Sequence, residues 1–176
     1  MSNLTAKTMN ETKTSDKALF GQLDALNQVA AFHTTFHHPI LATPKIPDAK
    51  RCQLRVNLLA EELKELEEAI AEQDLVEIAD ALCDLQYVLS GAVLEFGLAG
   101  KFPSLFNEVQ RSNMSKACKS MEEAEATVKY YSETKGENCF IKEEGEMFLV
   151  FRQEDHKTMK SIGYSPADLA GILKAD

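Results

Sequence analysis

Apolar side chains recur at helical spacing along most of the chain. This periodicity predicts a first helix over residues 19–38 and an amphipathic helix of about six turns over residues 49–72. Residues 75–96 are nearly all apolar, which predicts a central helix buried on most sides. Shorter patterns predict two further helices over residues 104–115 and 120–134. The bulk of the chain is therefore predicted to be helical.

The pattern of apolar and polar residues changes in the last forty residues. Apolar and polar side chains alternate over residues 139–152 around Glu144 and Gly145, which predicts a β-hairpin. Ser165 precedes Pro166 and a short apolar run to Leu173, which predicts a capped short helix with proline at its first position. The fold class expected is all-α, a bundle-like unit of four to five helices with a small C-terminal β-hairpin.

Length and composition limit the number of domains and the kinds of partner that we expect. A chain of 176 residues is expected to form one domain. No run approaches the ~18 apolar residues of a membrane span, so membrane insertion is not expected. The net charge of −9 disfavours binding to polymeric nucleic acid, whose phosphates recruit cations. We expect a polar, disordered tail at 1–18 without a secretory signal, a helical domain at 19–136, and a hairpin and short helix packed on it at 137–176.

The cysteines indicate no structural site. The four cysteines are widely separated and form no C-x-x-C pair, so neither a zinc site nor a disulfide framework is indicated. The expected location is the cytoplasm.

Negative charge is concentrated in the second and third predicted helices. Ten carboxylates and a single lysine, Lys64, lie between residues 61 and 84, and this stretch alone carries a net charge of −9. Like charges three or four residues apart on a helix each cost about 0.2 to 0.5 kcal/mol. A solvated acidic surface is an adequate interpretation for Glu67, Glu68 and Glu72. It does not account for the remaining acids, which lie beside the apolar seam: Glu61, Glu62, Glu65, Glu77 and Asp80.

Two antiparallel helices joined by a short turn would place the first acidic pair opposite the second. Glu62 and Glu65 would then face Glu77 and Asp80 in an all-oxygen pocket, a ligand set that suits Mg²⁺ or Mn²⁺. A ferritin-like di-iron site would need Glu-x-x-His pairs, and none occurs. Asp84, one turn beyond Asp80, could be a ligand or a helix-pairing residue.

The acidic pairs and their surroundings resemble a known family. Glu61-Glu62-x-x-Glu65 and Glu77-x-x-Asp80, within "LLAEELKELEEAI" and "EIADALCDLQYVLSGAVLEFGL", are similar to the metal motif of the all-α (MazG-like) nucleotide pyrophosphohydrolases. The downstream "FNEVQRSNMSK" and the closing "KSIGYSPADLAGIL" look like the phosphoribosyl-ATP pyrophosphohydrolase branch. The resemblance covers residues 22–118 well, and the hairpin is less familiar.

The resemblance implies an activity and roles for individual residues. Relatives of this kind dimerise and cleave the α,β-phosphoanhydride of a nucleotide, releasing a nucleoside monophosphate and pyrophosphate. It implies Glu62, Glu65, Glu77 and Asp80 as metal ligands, and Glu61 as a water-orienting carboxylate or an additional ligand. It further implies phosphate contacts, of which Lys116 is also a catalytic candidate: Arg111, Asn113 and Lys116.

Several alternatives stay open. The favoured hypothesis is a Mg²⁺-dependent nucleoside triphosphate pyrophosphohydrolase with a house-cleaning role, acting as a homodimer or tetramer. The alternatives are a phosphoribosyl-ATP pyrophosphohydrolase of histidine biosynthesis and a non-catalytic helical dimer that binds metal or nucleotide. The run from Phe32 to His38 could place a ring over a nucleobase, although we interpret Phe32 and Phe36 as core residues with exposed histidines beside them. Tyr87 is interpreted as a core or dimer-interface residue.

Overall fold

The computed structural model describes residues 20–175, and the tail predicted at 1–18 lies outside them. The described part forms six helices and one antiparallel hairpin, without a cis peptide bond. In chain order the elements are α1 (Ala25–Thr35), α2 (Ala49–Glu72), α3 (Leu75–Glu95), α4 (Phe102–Met114), α5 (Met121–Lys135), β1 (Cys139–Glu144), β2 (Met147–Arg152) and α6 (Leu169–Lys174). The mostly helical fold with a small C-terminal hairpin is therefore confirmed.

A tight turn joins α2 to α3, and both ends of it are capped. Gln73 ends α2 in the left-handed conformation, with φ of 59°. Asp74 begins α3, where its carboxylate accepts hydrogen bonds from the backbone N–H groups of Val76 and Glu77. Such a carboxylate satisfies N–H groups that have no partner within the helix. These two helices pack together as a hairpin, and α1 packs against α3. The predicted bounds of both long helices agree with the structure to within one residue.

Two predicted helix starts are wrong. The first helix begins at Ala25 rather than near residue 19, and the side chain of its N-cap residue Asp24 caps no backbone N–H. The last helix begins at Leu169, with Asp168 as the N-cap residue, so Pro166 precedes it. Ser165 does not cap this helix. Its N–H donates to the hydroxyl of Ser115 at 2.9 Å, and its carbonyl accepts a hydrogen bond from Arg111 of α4.

The central helix α3 is less buried than its sequence predicts. Its buried side includes Ala81, Val93 and Leu94, where α1 and α2 cover it. The side chains of Leu82 and Leu89 are 51% and 42% exposed, because no other element within the described chain covers that side. An apolar stripe of α3 is thus left open to solvent in the single chain.

A second core lies under α5. It joins the helix to both strands of the hairpin, and its fully or nearly buried members are Cys118, Ala124, Val150 and Met159. The strands pair from Cys139 opposite Arg152 to Glu144 opposite Met147, with Gly145 in the turn at φ of 61°. Among residues 20–175, no helix is both long and apolar enough to cross a membrane.

Candidate active site

The geometry of the α2–α3 hairpin determines which acidic residues of the two helices lie at the same height. Glu62 lies eleven residues before Gln73, and Asp84 lies ten residues after Asp74, so the two acids sit at nearly the same height above the turn. Glu77 is seven residues closer to the turn than Asp84, which corresponds to about 10 Å along the helix. The level of Glu62 is therefore shared with Asp84 rather than with Glu77.

Electrostatics agree with this placement. Glu62 is half-buried, and its pKa is raised, first by its removal from water and then by the neighbouring carboxylates. Of these carboxylates Asp84 acts most strongly on the pKa of Glu62, followed by Glu65, Glu61 and Asp80. Glu77 is not among them. The structure thus brings three of the other four acids singled out from the sequence close to Glu62, and adds Asp84 to them.

The same carboxylates do not yet converge on one point. Within residues 20–175, no three His, Cys, Asp or Glu side chains lie close enough together to hold a metal ion in this arrangement. The donor set fits a divalent cation by its chemistry, because oxygen ligands from carboxylates are those that Mg²⁺ and Mn²⁺ prefer. Most of these side chains are exposed and free to change rotamer.

A cavity of about 300 Å³ opens beside Glu62 and Asp84, between α1, α2 and α3. Phe32 and His38 form one wall, with ring centroids 5.8 Å apart and planes inclined by 20°. Tyr87 meets Phe32 edge-on at 5.6 Å. Phe32 is 37% and Phe36 is 59% exposed, so the interpretation of both as core residues is wrong. The rings of Phe32, His38 and Tyr87 line the cavity instead.

The opposite side of this cavity is built on a buried carboxylate. Glu95 is 1% exposed and accepts hydrogen bonds from Arg51 and Arg55. Burial raises the pKa of Glu95, but the hydrogen bonds from the two guanidinium groups outweigh it, so the pKa lies below its usual value. The two arginines share this carboxylate, and the charge of Asp48 also acts on Arg51. The sequence analysis missed this trio, because a lone Glu at the end of an apolar helix gives no signal of its partners.

His33 and Gly91 complete the buried polar cluster. The Nδ1 atom of His33 lies 2.9 Å from the carbonyl oxygen of Pro39, which can only accept, so Nδ1 carries the proton. Burial lowers the pKa of His33, and the charge of Arg55 lowers it further. A Cβ atom at Gly91 would lie 2.6 Å from Nη1 of Arg55 and 3.1 Å from Nε2 of His33. Glycine at this position lets Arg55 approach the backbone of α3.

The predicted phosphate contacts lie elsewhere in the chain. Arg111 donates two hydrogen bonds of 2.8 Å to Glu108 and one of 3.0 Å to the carbonyl of Pro166, so it holds the C-terminal segment. With a further hydrogen bond from the backbone N–H of Asp168, this lowers the pKa of Glu108 to about 2. Asn113 is exposed and Lys116 is half-buried. The main contacts of α4 are with α6, and none of Arg111, Asn113 and Lys116 lines the cavity beside Glu62.

Comparison with known proteins identifies a family whose sequences resemble the part of the chain that contains this site. The family model described as phosphoribosyl-ATP pyrophosphohydrolase matches residues 29–113, from within α1 to the end of α4. Over these residues the chain is similar to the phosphoribosyl-ATP pyrophosphohydrolase family. The matched segment contains both acidic helices and the residues around the cavity, and it ends before Lys116 and the hairpin. No curated protein matches the chain.

The match to this family model over residues 29–113 confirms the resemblance to the MazG-like all-α superfamily. It implies a pyrophosphohydrolase, that is, a hydrolase that acts on an acid anhydride. A small nucleotide is a substrate of the kind that such a family takes.

Proposed function

We propose that the protein is a Mg²⁺- or Mn²⁺-dependent nucleoside triphosphate pyrophosphohydrolase. It would cleave the α,β-phosphoanhydride and release a nucleoside monophosphate and pyrophosphate. The observation that carries the proposal is the crowding of carboxylates around Glu62 on two helices of the matched segment, beside a cavity of about 300 Å³. Carboxylates crowded at one place favour a cation, and a cavity beside them offers room for the rest of a nucleotide.

The proposed roles follow from position. Glu62, Glu65 and Asp80 are metal ligands in this scheme, and Asp84 joins them because it acts on the pKa of Glu62 more strongly than any other carboxylate. Glu77 remains a candidate ligand that would need a cation lower on the hairpin. A bound divalent cation would neutralise triphosphate charge and polarise the attacking water.

Glu61 is proposed to orient that water and to accept its proton. Its carboxylate is exposed and close enough to raise the pKa of Glu62, so it lies at the edge of the acidic cluster. A carboxylate not occupied by metal can act as a general base when it lies within hydrogen-bond reach of the water.

A homodimer is part of the proposal. The apolar stripe of α3 around Leu82 and Leu89 is exposed in the single chain, next to cavities of about 450 and 930 Å³. An exposed apolar stripe of this kind marks a protein interface. We infer that a second copy covers it and brings Arg111 and Asn113 of its α4, together with Lys116 just beyond that helix, toward the acidic helices.

The proposal is tested by product analysis. Purified protein with Mg²⁺ should release pyrophosphate, and no orthophosphate, from members of a panel of ribo- and deoxyribonucleoside triphosphates. Glu62→Gln should reduce the rate by at least about a hundredfold, because it removes a charged ligand. Glu72→Gln, on the same helix, is the matched control and should retain the rate. Orthophosphate as the product, or full activity of Glu62→Gln, would exclude the mechanism.

Two alternatives have their own outcomes in this assay. A phosphoribosyl-ATP pyrophosphohydrolase of histidine biosynthesis is favoured by the name of the matched family, and would turn over phosphoribosyl-ATP far faster than any simple triphosphate. A non-catalytic nucleotide-binding dimer would bind triphosphates in calorimetry without releasing product.

A further inference from the structure

A turn in the C-terminal segment is fixed against the end of α4. The backbone N–H of Tyr164 donates to the carbonyl oxygen of Ser161 at 3.0 Å, which closes the turn. The hydroxyl of Ser161 donates to the carbonyl oxygen of Ser115 at 3.1 Å, and the N–H of Ser165 donates to the hydroxyl of Ser115 at 2.9 Å. Thr127 of α5 accepts a further hydrogen bond of 3.1 Å from a backbone N–H of the turn. The backbone of the turn is therefore held in place from two helices.

Two lysines and a tyrosine hydroxyl lie together at this turn. The Nζ atom of Lys160 lies 4.4 Å from the centroid of the Tyr164 ring. The phenolic oxygen of Tyr164 accepts a hydrogen bond of 2.9 Å from the hydroxyl of Ser112. This hydrogen bond is the main cause that lowers the pKa of Tyr164, and the charges of Lys160 and Lys116 lower it further. Both ammonium groups thus act on the same phenolic oxygen.

We propose that Lys116, Lys160 and Tyr164 form a subsite that binds the polyphosphate chain of a nucleotide. The inference rests on the proposed function, since a second copy that carries the end of α4 toward the acidic helices would carry this turn with it. It adds two residues to that function, Lys160 and Tyr164, and both lie beyond the segment that the family model matches.

The three side chains offer hydrogen-bond donors of the kind that phosphate oxygens accept. Lys160 is exposed and Lys116 is half-buried, and each ammonium group carries three donors and a compact positive charge. The hydroxyl of Ser112 donates to the phenolic oxygen of Tyr164, so the phenolic hydrogen is available to a ligand. An anion at the turn would therefore meet two positive charges and a hydroxyl donor.

The neighbouring acids are engaged with other groups. Arg111 donates two hydrogen bonds of 2.8 Å to Glu108, so these two charges are paired with each other. Glu123 of α5 accepts a hydrogen bond of 2.8 Å from a backbone N–H just before that helix. Within residues 20–175, neither Lys116 nor Lys160 forms an ion pair with a carboxylate. The charge of both lysines is thus left to act on a ligand.

The net charge of the protein does not oppose an anion at this place. Residues 61–84 carry a net charge of −9, which equals the net charge of the whole chain. The rest of the chain is therefore neutral on balance, and the turn belongs to that part. Its lysines can attract phosphate locally, because salt screens charges that lie more than about 8 to 10 Å apart.

The experiment measures binding of inorganic tripolyphosphate to the full-length protein by calorimetry, in EDTA so that no divalent cation contributes. The wild-type protein should bind it. Lys160→Ala should bind at least about tenfold more weakly, because it loses a charge-assisted hydrogen bond. Lys160→Arg keeps the charge and should restore the affinity to within about threefold of the wild type. Equal binding to the wild type and Lys160→Ala would overturn the subsite.

A matched control removes the same charge at the other end of α4. Lys101, just before α4, donates to the carbonyl oxygens of Ile172 and Ala175, so Lys174 lies at the end of α4 far from Tyr164. Lys174→Ala should bind tripolyphosphate as the wild type does. A loss equal to that of Lys160→Ala would mean that only the overall charge matters, which would also overturn the subsite.

The hydroxyl of Tyr164 is tested separately from its ring. Tyr164→Phe keeps the ring beside Lys160 and removes the donor, so the affinity for tripolyphosphate should fall about fivefold. Circular dichroism and thermal unfolding establish that each variant is folded. An unchanged affinity in folded Tyr164→Phe would overturn the role assigned to the hydroxyl.

The metal-free assay separates failure of the subsite from failure of the proposed activity. If no triphosphate is hydrolysed, the proposed function fails, but tripolyphosphate should still bind the wild-type protein and bind Lys160→Ala more weakly. If triphosphates are hydrolysed, Lys160→Ala should raise their KM about tenfold and Lys174→Ala should leave it unchanged. Hydrolysis by a protein that does not bind tripolyphosphate in EDTA would overturn the subsite and leave the activity standing.

Discussion

Glu95 of α3 accepts a hydrogen bond of 3.0 Å on its Oε2 atom from the Nε atom of Arg51, 44 residues earlier in α2. Arg55, one turn further along α2, binds the Oε1 atom of the same carboxylate. The contact therefore ties the base of α2 to the end of α3, on the side of the hairpin far from its turn. It also fixes two guanidinium groups beside the cavity.

Glu95→Gln should destabilise the protein strongly. The substitution keeps the shape of the side chain but leaves two arginines near each other without a compensating charge. Removing one partner of a buried ion pair costs about 3 to 5 kcal/mol. Urea denaturation should show a loss in the free energy of unfolding of at least about 3 kcal/mol, whereas the exposed Glu72→Gln should change it by no more than about 0.5 kcal/mol. A small change in Glu95→Gln would mean that the pair contributes little.

Gly91→Ala should also destabilise the protein, although alanine favours helix by about 1 kcal/mol. The added methyl group would lie 2.6 Å from Arg55, inside the space that its guanidinium occupies. Overpacking of a filled site costs about 1 to 3 kcal/mol, so after the helix gain the net loss should be up to about 2 kcal/mol. Gly100→Ala is the control, since nothing lies within 4 Å of its added methyl group. A gain in the melting temperature of Gly91→Ala would contradict the packing described.

Stability should depend on pH through His33. Its pKa is lowered in the folded protein, so the unfolded chain, with a pKa near 6.5, binds the proton more readily. The contribution to stability is therefore complete above pH 6.5 and is lost progressively as the pH falls through 6.5 toward the lower, folded pKa. Denaturation at pH 7.5 and 5.5 should show this loss, and His33→Gln should have a shallower dependence. Equal slopes for the two proteins would rule out His33 as the source.

Asp84→Asn should impair activity more than Glu77→Gln. Asp84 lies at the height of Glu62, and Glu77 lies about 10 Å nearer the turn, so removal of Asp84 should affect a cation at the proposed site around Glu62 more directly. The expected loss in kcat/KM is about a hundredfold or more for Asp84→Asn, with a matching increase in the Mg²⁺ concentration required. Circular dichroism of both variants controls for folding. The reverse order would place the cation lower on the hairpin.

Leu89→Glu should prevent dimer formation. The side chain of Leu89 is 42% exposed on the apolar stripe of α3, and burial of a carboxylate there would be unfavourable. Light scattering after size exclusion should show a dimer for the wild-type protein and a monomer for the variant, with activity lost together with the dimer. Tyr130→Glu, on exposed surface of α5, should remain dimeric. A monomeric wild-type protein would refute the proposed interface.

The sequence predicted the long helices well, because their apolar spacing and their Asp48 and Asp74 caps are local features. The acidic cluster was also predictable, since charge density can be counted. The relation between Glu62 and Asp84 could not be found in this way. It depends on the height of each residue above a turn whose conformation, with Gln73 left-handed, is decided by the folded hairpin.

Other differences arise because burial is a property of the whole assembly of elements. The apolar composition of α3 indicates that its surface should be buried. It does not indicate whether elements of the same chain or of a second copy bury it. Phe32 was expected in the core for the same reason, yet it lines a cavity. Arg51 and Arg55 lie 44 and 40 residues before Glu95 in the sequence. Helical periodicity relates only residues a few positions apart, so it could not predict this ion-pair cluster.

The turn at Gln73 and Asp74 also constrains how this chain can vary. Each residue of an α-helix turns the next by about 100°, so one residue inserted there would rotate every acid of α3 away from those of α2 unless the turn absorbed it. Insertions that restore the facing of the two helices would come close to whole turns, three or four residues or seven. The distance in sequence between the two acidic pairs is thus expected to change in steps rather than continuously, while the surface acids between them can be replaced singly.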